Sequence, residues 1–356
     1  MESEAEIYEK GNAWQKKVYR HMAEFLEIKG VTSFGKSGEK KNQTNGKKTG
    51  GTLYKHLLTE EQSEYNFITK EIHDAAKERF ECHKGGDKLR ALTNTAASQP
   101  YCFNLAIYLA QHLSLAGKLF SKLLDKQVNV IHIEPEFTPN NCVDGFERKD
   151  DETIGDQNGK LGTDADIAVF YTYGNNKKGI LLIEFKFIEA EFSICSTYKR
   201  NEKIRSLCCH DYYNKLIQPD LNNLSPEQRC GYRKYYNWPL TIVSEVFDAE
   251  KVKETCCCPF IEGGNQLWRN MLLAEMGASA RQCDEFGFWV FSPKENDKYL
   301  WKDQTRENGF RSVLSELGNK HFKKIHLESI FALLHEITAD EEDKDWLRKM
   351  ETRYRI

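Results

Sequence analysis

The feature that most constrains the fold is a pair of apolar runs that carry charged residues, within residues 164–188. The runs are rich in Ile, Val, Leu and Phe, and they flank a polar Gly/Asn/Lys turn, which predicts a β-hairpin with largely buried strands. Asp164 and Asp166 open the first strand, and Glu184 and Lys186 lie within the second. Because strand side chains alternate, Glu184 and Lys186 share one face. The opposite face holds Leu181, Ile183, Phe185 and Phe187.

Charged side chains on a buried strand need a partner, because desolvating an unpaired ion is costly. A divalent cation between the aspartate and Glu184 would relieve this cost, since Mg²⁺ takes one or two carboxylates together with waters. The alternative is that Glu184 and Lys186 are the polar face of a half-exposed strand and form a surface ion pair. An isolated Glu-x-Lys would favour that alternative, but an aspartate on the preceding strand makes the combination much rarer.

This arrangement, an Asp on one strand and Glu-x-Lys on the next, resembles the PD-(D/E)XK nuclease superfamily, the restriction-endonuclease-like proteins. In the resemblance Asp166 takes the aspartate position, because residues 167–169 follow it as a strand, and Asp164 is less favoured. The proline that usually precedes this aspartate is Ala165 here, a departure that the family commonly tolerates. The resemblance implies a metal-dependent enzyme that hydrolyses phosphodiester bonds.

The resemblance also implies roles for individual residues. Asp166 and Glu184 would bind Mg²⁺ or Mn²⁺, and the carbonyl of Phe185 would reach the same ion. Lys186 would position the attacking water and stabilise charge on the phosphorane. The substrate implied is DNA, with RNA left open as an alternative, and a homodimer is also left open.

The expected elements between Gln99 and Pro293 follow the αβββαβ order of that fold, a mixed β-sheet flanked by helices. They are a long apolar helix over 101–124 with a bend at Gly117, a strand over 128–137, the hairpin, a helix from Gly264 and a buried strand over 286–293. Pro135 marks the 128–137 strand as an edge strand or as its end.

Two further residues are candidates for the site. Many family members have a metal-binding Glu in the first core helix, but residues 101–124 contain no acidic residue. Glu136 is the candidate for a third carboxylate instead, with a structural role as the alternative. Gln266 matches a glutamine that several subfamilies direct at the metal site or the DNA. An exposed glutamine at a helix start is an equally weighted interpretation of Gln266.

The core is expected to carry helical extensions at both ends. Residues 1–98 form a helical N-terminal extension, with a flexible Lys/Gly-rich loop over 36–51 and a helix that starts at Thr59 and runs to about Cys82. Residues 99–293 form the nuclease-like core, and residues 294–356 form a helical tail with apolar stripes that suggest no chemistry.

A Cys-rich insert over residues 189–263 interrupts the core, and it holds seven cysteines. Clustered thiolates suggest Zn²⁺ or an iron–sulfur cluster, each of which takes four cysteines. The candidate ligands are Cys195, Cys208, Cys230 and Cys257. No CxxC pair is present, so scattered free thiols are the alternative.

The same insert interleaves basic and aromatic residues, which suits phosphate contact and base stacking. The candidate nucleic-acid-binding residues are Lys199, Arg200, Lys203 and Arg205. A solvated insert with a small aromatic core is the alternative. Because the insert leaves after Lys186 and returns at the helix of Gln266, residues 195–258 are expected beside the active site.

Composition excludes several classes of protein. A net charge of −3 over 356 residues excludes a uniformly basic nucleic-acid binder but allows a local basic channel. No apolar run is long enough to span a membrane, and no signal peptide is evident, so a cytoplasmic protein is expected. Two competing functions remain: a catalytically inactive nucleic-acid-binding module of the same fold, and a redox or metal sensor built on the cysteines.

Overall fold

The computed structural model describes residues 4–37, 40–41, 48–49, 51–82, 85–149, 163–195, 241, 243–255, 258–261 and 263–356. Contacts divide the chain into two compact units that are discontinuous in sequence. The first unit comprises Met1–Leu119, Phe185–Ala190 and Glu328–Ile356, and the second comprises Phe120–Glu184 and Glu191–Leu327. The continuous domain limits expected from the sequence remain a prediction.

A five-stranded mixed sheet forms the centre of the second unit, with strand order β5-β6-β7-β8-β9. Its strands are β5 (Val128–Phe137), β6 (Ala165–Tyr173), β7 (Lys177–Phe185), β8 (Glu285–Ser292) and β9 (Phe322–His326). The pairs β5–β6 and β6–β7 are antiparallel, whereas β8–β9 is parallel. The predicted α/β fold with a mixed sheet flanked by helices is therefore confirmed.

The central hairpin joins β6 and β7 and has the register that the sequence favours. Tyr173 pairs with Lys177, and the turn between them places Gly174 at φ 51° and Asn176 at φ 61°. Gly and Asn tolerate this left-handed region better than other residues do, so the turn composition explains the tight connection. Pro135 lies in β5, which is an edge strand as predicted, where a missing N–H costs no ladder hydrogen bond.

Helix α7 (Gly264–Ala280) packs on the face of the hairpin that carries the even-numbered residues. Its buried Leu267, Trp268 and Met271 share one hydrophobic core with strand residues. Those strand residues include Ala168, Phe170, Ile180 and Leu182. By strand alternation Asp166 and Glu184 belong to the same face, and side chains of this helix form hydrogen bonds with Glu184.

The chain after β8 contains one strand that the helical prediction missed. The second unit also has the helices α6 (Ala249–Glu254), α8 (Asp297–Leu300), α9 (Thr305–Arg311) and α10 (Glu316–His321). β9 follows α10 directly, and its residues had been assigned to a helical tail. Only Phe322 of β9 is buried, so its apolar alternation is too weak to distinguish it from a helix.

The first unit is mainly helical, with α1 (Ala13–Ile28), α2 (Lys70–Glu81), α3 (Lys88–Thr93), α4 (Ser98–Gln111), α5 (Leu113–Leu124), α11 (Leu327–Ile337) and α12 (Glu341–Tyr354) assigned wholly or mostly to it. Short strands β1 (Lys36–Ser37) and β4 (Thr52–Leu53) pair, as do β2 (Lys40–Lys41) and β3 (Lys48–Thr49), where a flexible loop had been expected.

Two helices are shorter than predicted. The segment from Thr59 begins with the expected capping box to Gln62, but it forms only a 3-10 helix over Glu60–Asn66, and α2 starts anew after the N-cap Thr69. The long apolar helix is interrupted at His112, between α4 and α5, and not bent at Gly117. Within the part of the chain that the structure describes, no helix is both long and apolar enough to cross a bilayer.

Candidate active site

Glu184 is a buried carboxylate, with only 1% of its surface exposed. Both of its oxygens accept hydrogen bonds from amide side chains of α7. Gln266 Nε2 donates to Oε1 at 2.6 Å, and Asn270 Nδ2 donates to Oε2 at 2.7 Å. The interpretation of Glu184 as the polar face of a half-exposed strand is therefore wrong, and the amide donors offset much of its desolvation.

The strand register ends one position short of the predicted carboxylates. Ile167 pairs with Ile183, so continuing the antiparallel register by one position predicts Asp166 opposite Glu184. On the other side of β6, Pro135 pairs with Ile167 and Phe137 with Ala165, so Glu136 is predicted to face Asp166. A cluster of these three acidic residues on adjacent strands therefore remains a prediction.

Glu136 has an unusual backbone for a strand residue, with φ 52°. A non-glycine residue in this region is uncommon and is strained, and such residues cluster at functional sites. Within the described ranges, however, no three His, Cys, Asp or Glu side chains are close enough together to hold a metal ion. Glu136 therefore remains a predicted third ligand.

Gln266 and Asn270 reach the same carboxylate because they are one helical turn apart on α7. Gln266 also accepts a hydrogen bond through Oε1 from the backbone N–H of Ser193, at 3.0 Å. Ser193, near the start of the insert, is therefore hydrogen-bonded to the same glutamine that holds Glu184. The sequence indicated Gln266, but Asn270 was missed, although its spacing of four from Gln266 was a usable signal.

The residues present fit a divalent cation. Two carboxylates are enough protein ligands for Mg²⁺, which keeps several waters and takes substrate oxygens as well. Glu184 accepts hydrogen bonds on both oxygens, and a carboxylate oxygen that accepts a hydrogen bond can also bind a metal ion. Asn270 is 1% exposed, and its Oδ1 is a buried acceptor with no described partner. An acceptor of this kind, next to a carboxylate, is suited to a water in the coordination sphere of an ion.

Lys186 follows the end of β7 and belongs to the first unit, where it is 8% exposed. Glu189, three residues later, accepts hydrogen bonds from Arg90 Nη2 at 2.7 Å and from Ser98 Oγ at 2.7 Å. Burial opposes ionisation of Glu189, but the charges of Lys186 and Arg90 outweigh it and lower the pKa of this carboxyl. Glu189 was not singled out in the sequence. Phe185, the predicted carbonyl ligand, is also in the first unit.

Most of the insert residues predicted to bind metal or nucleic acid lie outside the described residues. They are Cys208, Cys230, Cys257, Lys199, Arg200, Lys203 and Arg205. The remaining candidate, Cys195, is a buried free thiol. The metal-binding and nucleic-acid-binding hypotheses for the insert therefore stay predictions.

Comparison with known proteins gives one result that agrees with this geometry. No curated protein and no solved structure matches the chain. The sequence model of the PD-(D/E)XK nuclease superfamily matches residues 9–356, which is nearly the whole chain. The aspartate and Glu-x-Lys pattern, the mixed sheet that bears it and this match agree, and the protein belongs to the PD-(D/E)XK nuclease superfamily.

Proposed function

We propose that the protein is a divalent-metal-dependent nuclease that hydrolyses phosphodiester bonds in DNA. The observation on which this rests is Glu184, a buried carboxylate that accepts hydrogen bonds from Gln266 and Asn270. Continuing the β6–β7 register by one position would bring Asp166 opposite it. A buried charge with dedicated amide partners is costly to build, and a metal-binding role explains why the fold contains it.

Each predicted residue has a distinct role in this proposal. Asp166 and Glu184 would hold Mg²⁺ or Mn²⁺, with the Phe185 carbonyl and Glu136 as further predicted ligands. The ion would stabilise charge on the phosphate oxygens as a Lewis acid. Gln266 would keep Glu184 in one orientation. Lys186, two residues after Glu184, would orient the attacking water and stabilise negative charge on the phosphorane.

Substitutions at Glu184 and Lys186 test the proposal because they affect different steps. Glu184→Gln should weaken Mn²⁺ binding by more than about 100-fold and abolish cleavage, since it removes a ligand that no other described side chain replaces. Lys186→Ala should bind Mn²⁺ like the parent and lose cleavage. Mn²⁺ titration and cleavage of linear, circular and single-stranded substrates measure both effects. Glu250→Gln, at an exposed ion pair with Lys253, is the matched control.

The outcomes distinguish the competing functions. Full cleavage activity in Lys186→Ala would refute the assigned role of that residue. A chain that binds DNA but cuts neither DNA nor RNA with Mg²⁺ or Mn²⁺ would be a binding module. A bound metal that is unaffected by Glu184→Gln, with activity that follows the cysteines, would favour a sensor. If the protein cleaves RNA and not DNA, the proposed substrate is wrong and the proposed phosphodiester hydrolysis stands.

A further inference from the structure

The segment that follows Lys186 is held on both sides by side chains of the first unit. The carbonyl of Phe187 accepts a hydrogen bond from Trp14 Nε1 at 2.8 Å, and its N–H donates to Glu189 Oε2 at 3.0 Å. The carbonyl of Ile188 accepts from Gln15 Nε2 at 3.2 Å. Backbone groups of Phe187 and Ile188 are thus bonded to side chains.

Glu189 links this segment to two more helices. Arg90 of α3 and Ser98 at the start of α4 both donate to its Oε1. These are hydrogen bonds to a charged group, which are shorter and stronger than neutral ones. The Glu189 side chain is 18% exposed and that of Arg90 is 46% exposed, so solvent screens this ion pair mainly on the arginine side.

Lys186 lies directly before this bonded segment. A lysine side chain loses roughly 2 kcal/mol of rotamer entropy when it is fixed, so a fixed ammonium needs a compensating contact. The carboxylate of Glu189 accepts a hydrogen bond from the N–H of Phe187 at 3.0 Å, so it lies against the backbone directly after Lys186. The positive charge of Lys186 also favours the ionised form of Glu189 and contributes to lowering the pKa of this carboxyl. The 8% exposure of Lys186 leaves its ammonium few solvent-facing alternatives.

We propose that Glu189 is a positioning residue for Lys186, and that Trp14 and Arg90 form with it a clamp on the chain that follows the Glu-x-Lys motif. The N-terminal helices thereby take part in orienting Lys186. This inference rests on the proposed nuclease function, and it assigns the clamp to the chemical step rather than to DNA or metal binding. Misplacement of a reacting group by about 1 Å costs on the order of 100-fold in rate.

A double-mutant cycle between Glu189 and Lys186 tests the inference. Glu189→Gln preserves the shape and removes the charge, and it should lower kcat about tenfold or more, with KM for DNA and Mn²⁺ affinity unchanged. In the Lys186→Gln background the same change should alter the residual single-turnover rate less than about twofold, because the group that it positions is gone. Trp14→Phe removes the N–H donor together with part of a buried ring, and it should lower kcat as Glu189→Gln does.

Asp74→Asn is the matched control, because Asp74 forms an exposed ion pair with Lys70 on α2. It should leave kcat unchanged. If Glu189→Gln lowers the rate by the same factor in the parent and in the Lys186→Gln background, the inference is wrong and the proposed nuclease function still stands. A lowered melting temperature with unchanged kcat would have the same meaning. If Glu189→Gln does not fold, Trp14→Phe decides by the same criteria. A parent chain without metal-dependent cleavage would overturn the proposed function and this inference together.

Discussion

At the scale of single residues, Glu184 depends on the two amides that hold its oxygens. Gln266 is also bonded to Ser193, whereas Asn270 has only Glu184 as a described side-chain partner. Asn270 is 1% exposed, so its N–H is a buried donor to a buried carboxylate. The orientation of the carboxylate is therefore most sensitive to a change at Asn270.

We expect Asn270→Ala to weaken Mn²⁺ affinity and cleavage about 10–100-fold, the usual effect of removing the partner of a metal ligand. It should also lower the free energy of unfolding by about 1–3 kcal/mol, because a buried carboxylate oxygen loses its donor. Mn²⁺ titration and urea unfolding measure the two effects. Asn129→Ala, at an exposed position of β5, should change neither. Parent-like Mn²⁺ binding by Asn270→Ala would contradict the expectation.

The sequence was sufficient for residues whose neighbours are fixed by the hairpin. Alternation and the hairpin turn predicted that Asp166 and Glu184 share one face of paired strands, and the β6–β7 pairing found here agrees with that pairing of strands. Glu189 was not predictable, because its partner Arg90 is 99 residues away and α3 gave no sign of facing it. Asn270 lies between these cases, since its helical spacing from Gln266 was visible but its partner was not.

At the scale of elements, the β6–β7 pairing depends on a glycine that a tyrosine covers. Gly179 pairs with Tyr171, and a Cβ added at Gly179 would lie 2.2 Å from Tyr171 Cζ. The Tyr171 hydroxyl donates to Glu285 of β8, which also pairs with Lys126. The ring therefore cannot move away without breaking a contact between strands.

Gly179→Ala should consequently lower the free energy of unfolding by about 1–3 kcal/mol, the usual cost of overpacking. Combining it with Tyr171→Ala should cost less than the sum of the two single changes, because the smaller side chain removes the clash. Urea unfolding checks both statements. Gly309→Ala, in α9 with no atom near its added Cβ, should be neutral or stabilising. Additive costs would show that the clash is relieved elsewhere.

The order of elements was predictable where strands were fully buried and flanked by turn residues. Strand β8 was predicted from sequence for that reason, and helix α7 was predicted from its start after Gly264. β9 was missed because it pairs in parallel with β8 and has only one buried residue, so tertiary pairing and not local pattern makes it a strand. The interruption between α4 and α5 at His112 was also missed, because no proline or glycine at that position signals the end of a helix.

At the scale of the whole molecule, the insert remains the predicted nucleic-acid-binding segment. Neutralising Lys199, Arg200, Lys203 and Arg205 together should weaken DNA binding and reduce the dependence of its affinity on salt. Each phosphate contact that is lost reduces the number of counterions that the DNA releases on binding. Mn²⁺ binding should be unchanged. Equilibrium binding at several salt concentrations measures the slope, and a quadruple variant with the affinity and slope of the parent would show that these side chains only pack.

The composition of the first unit has a consequence for synthesis. Tyr354 of α12 stacks on Tyr101 of α4 at 3.7 Å and accepts a hydrogen bond from Asn104 Nδ2 at 2.8 Å. Tyr101 also contacts Phe185 and Phe187, on both sides of Lys186. A nascent chain that has not yet emerged through α12 lacks this support. The lysine of the Glu-x-Lys motif would thus reach its final surroundings only after α12 has been synthesised and has packed on α4.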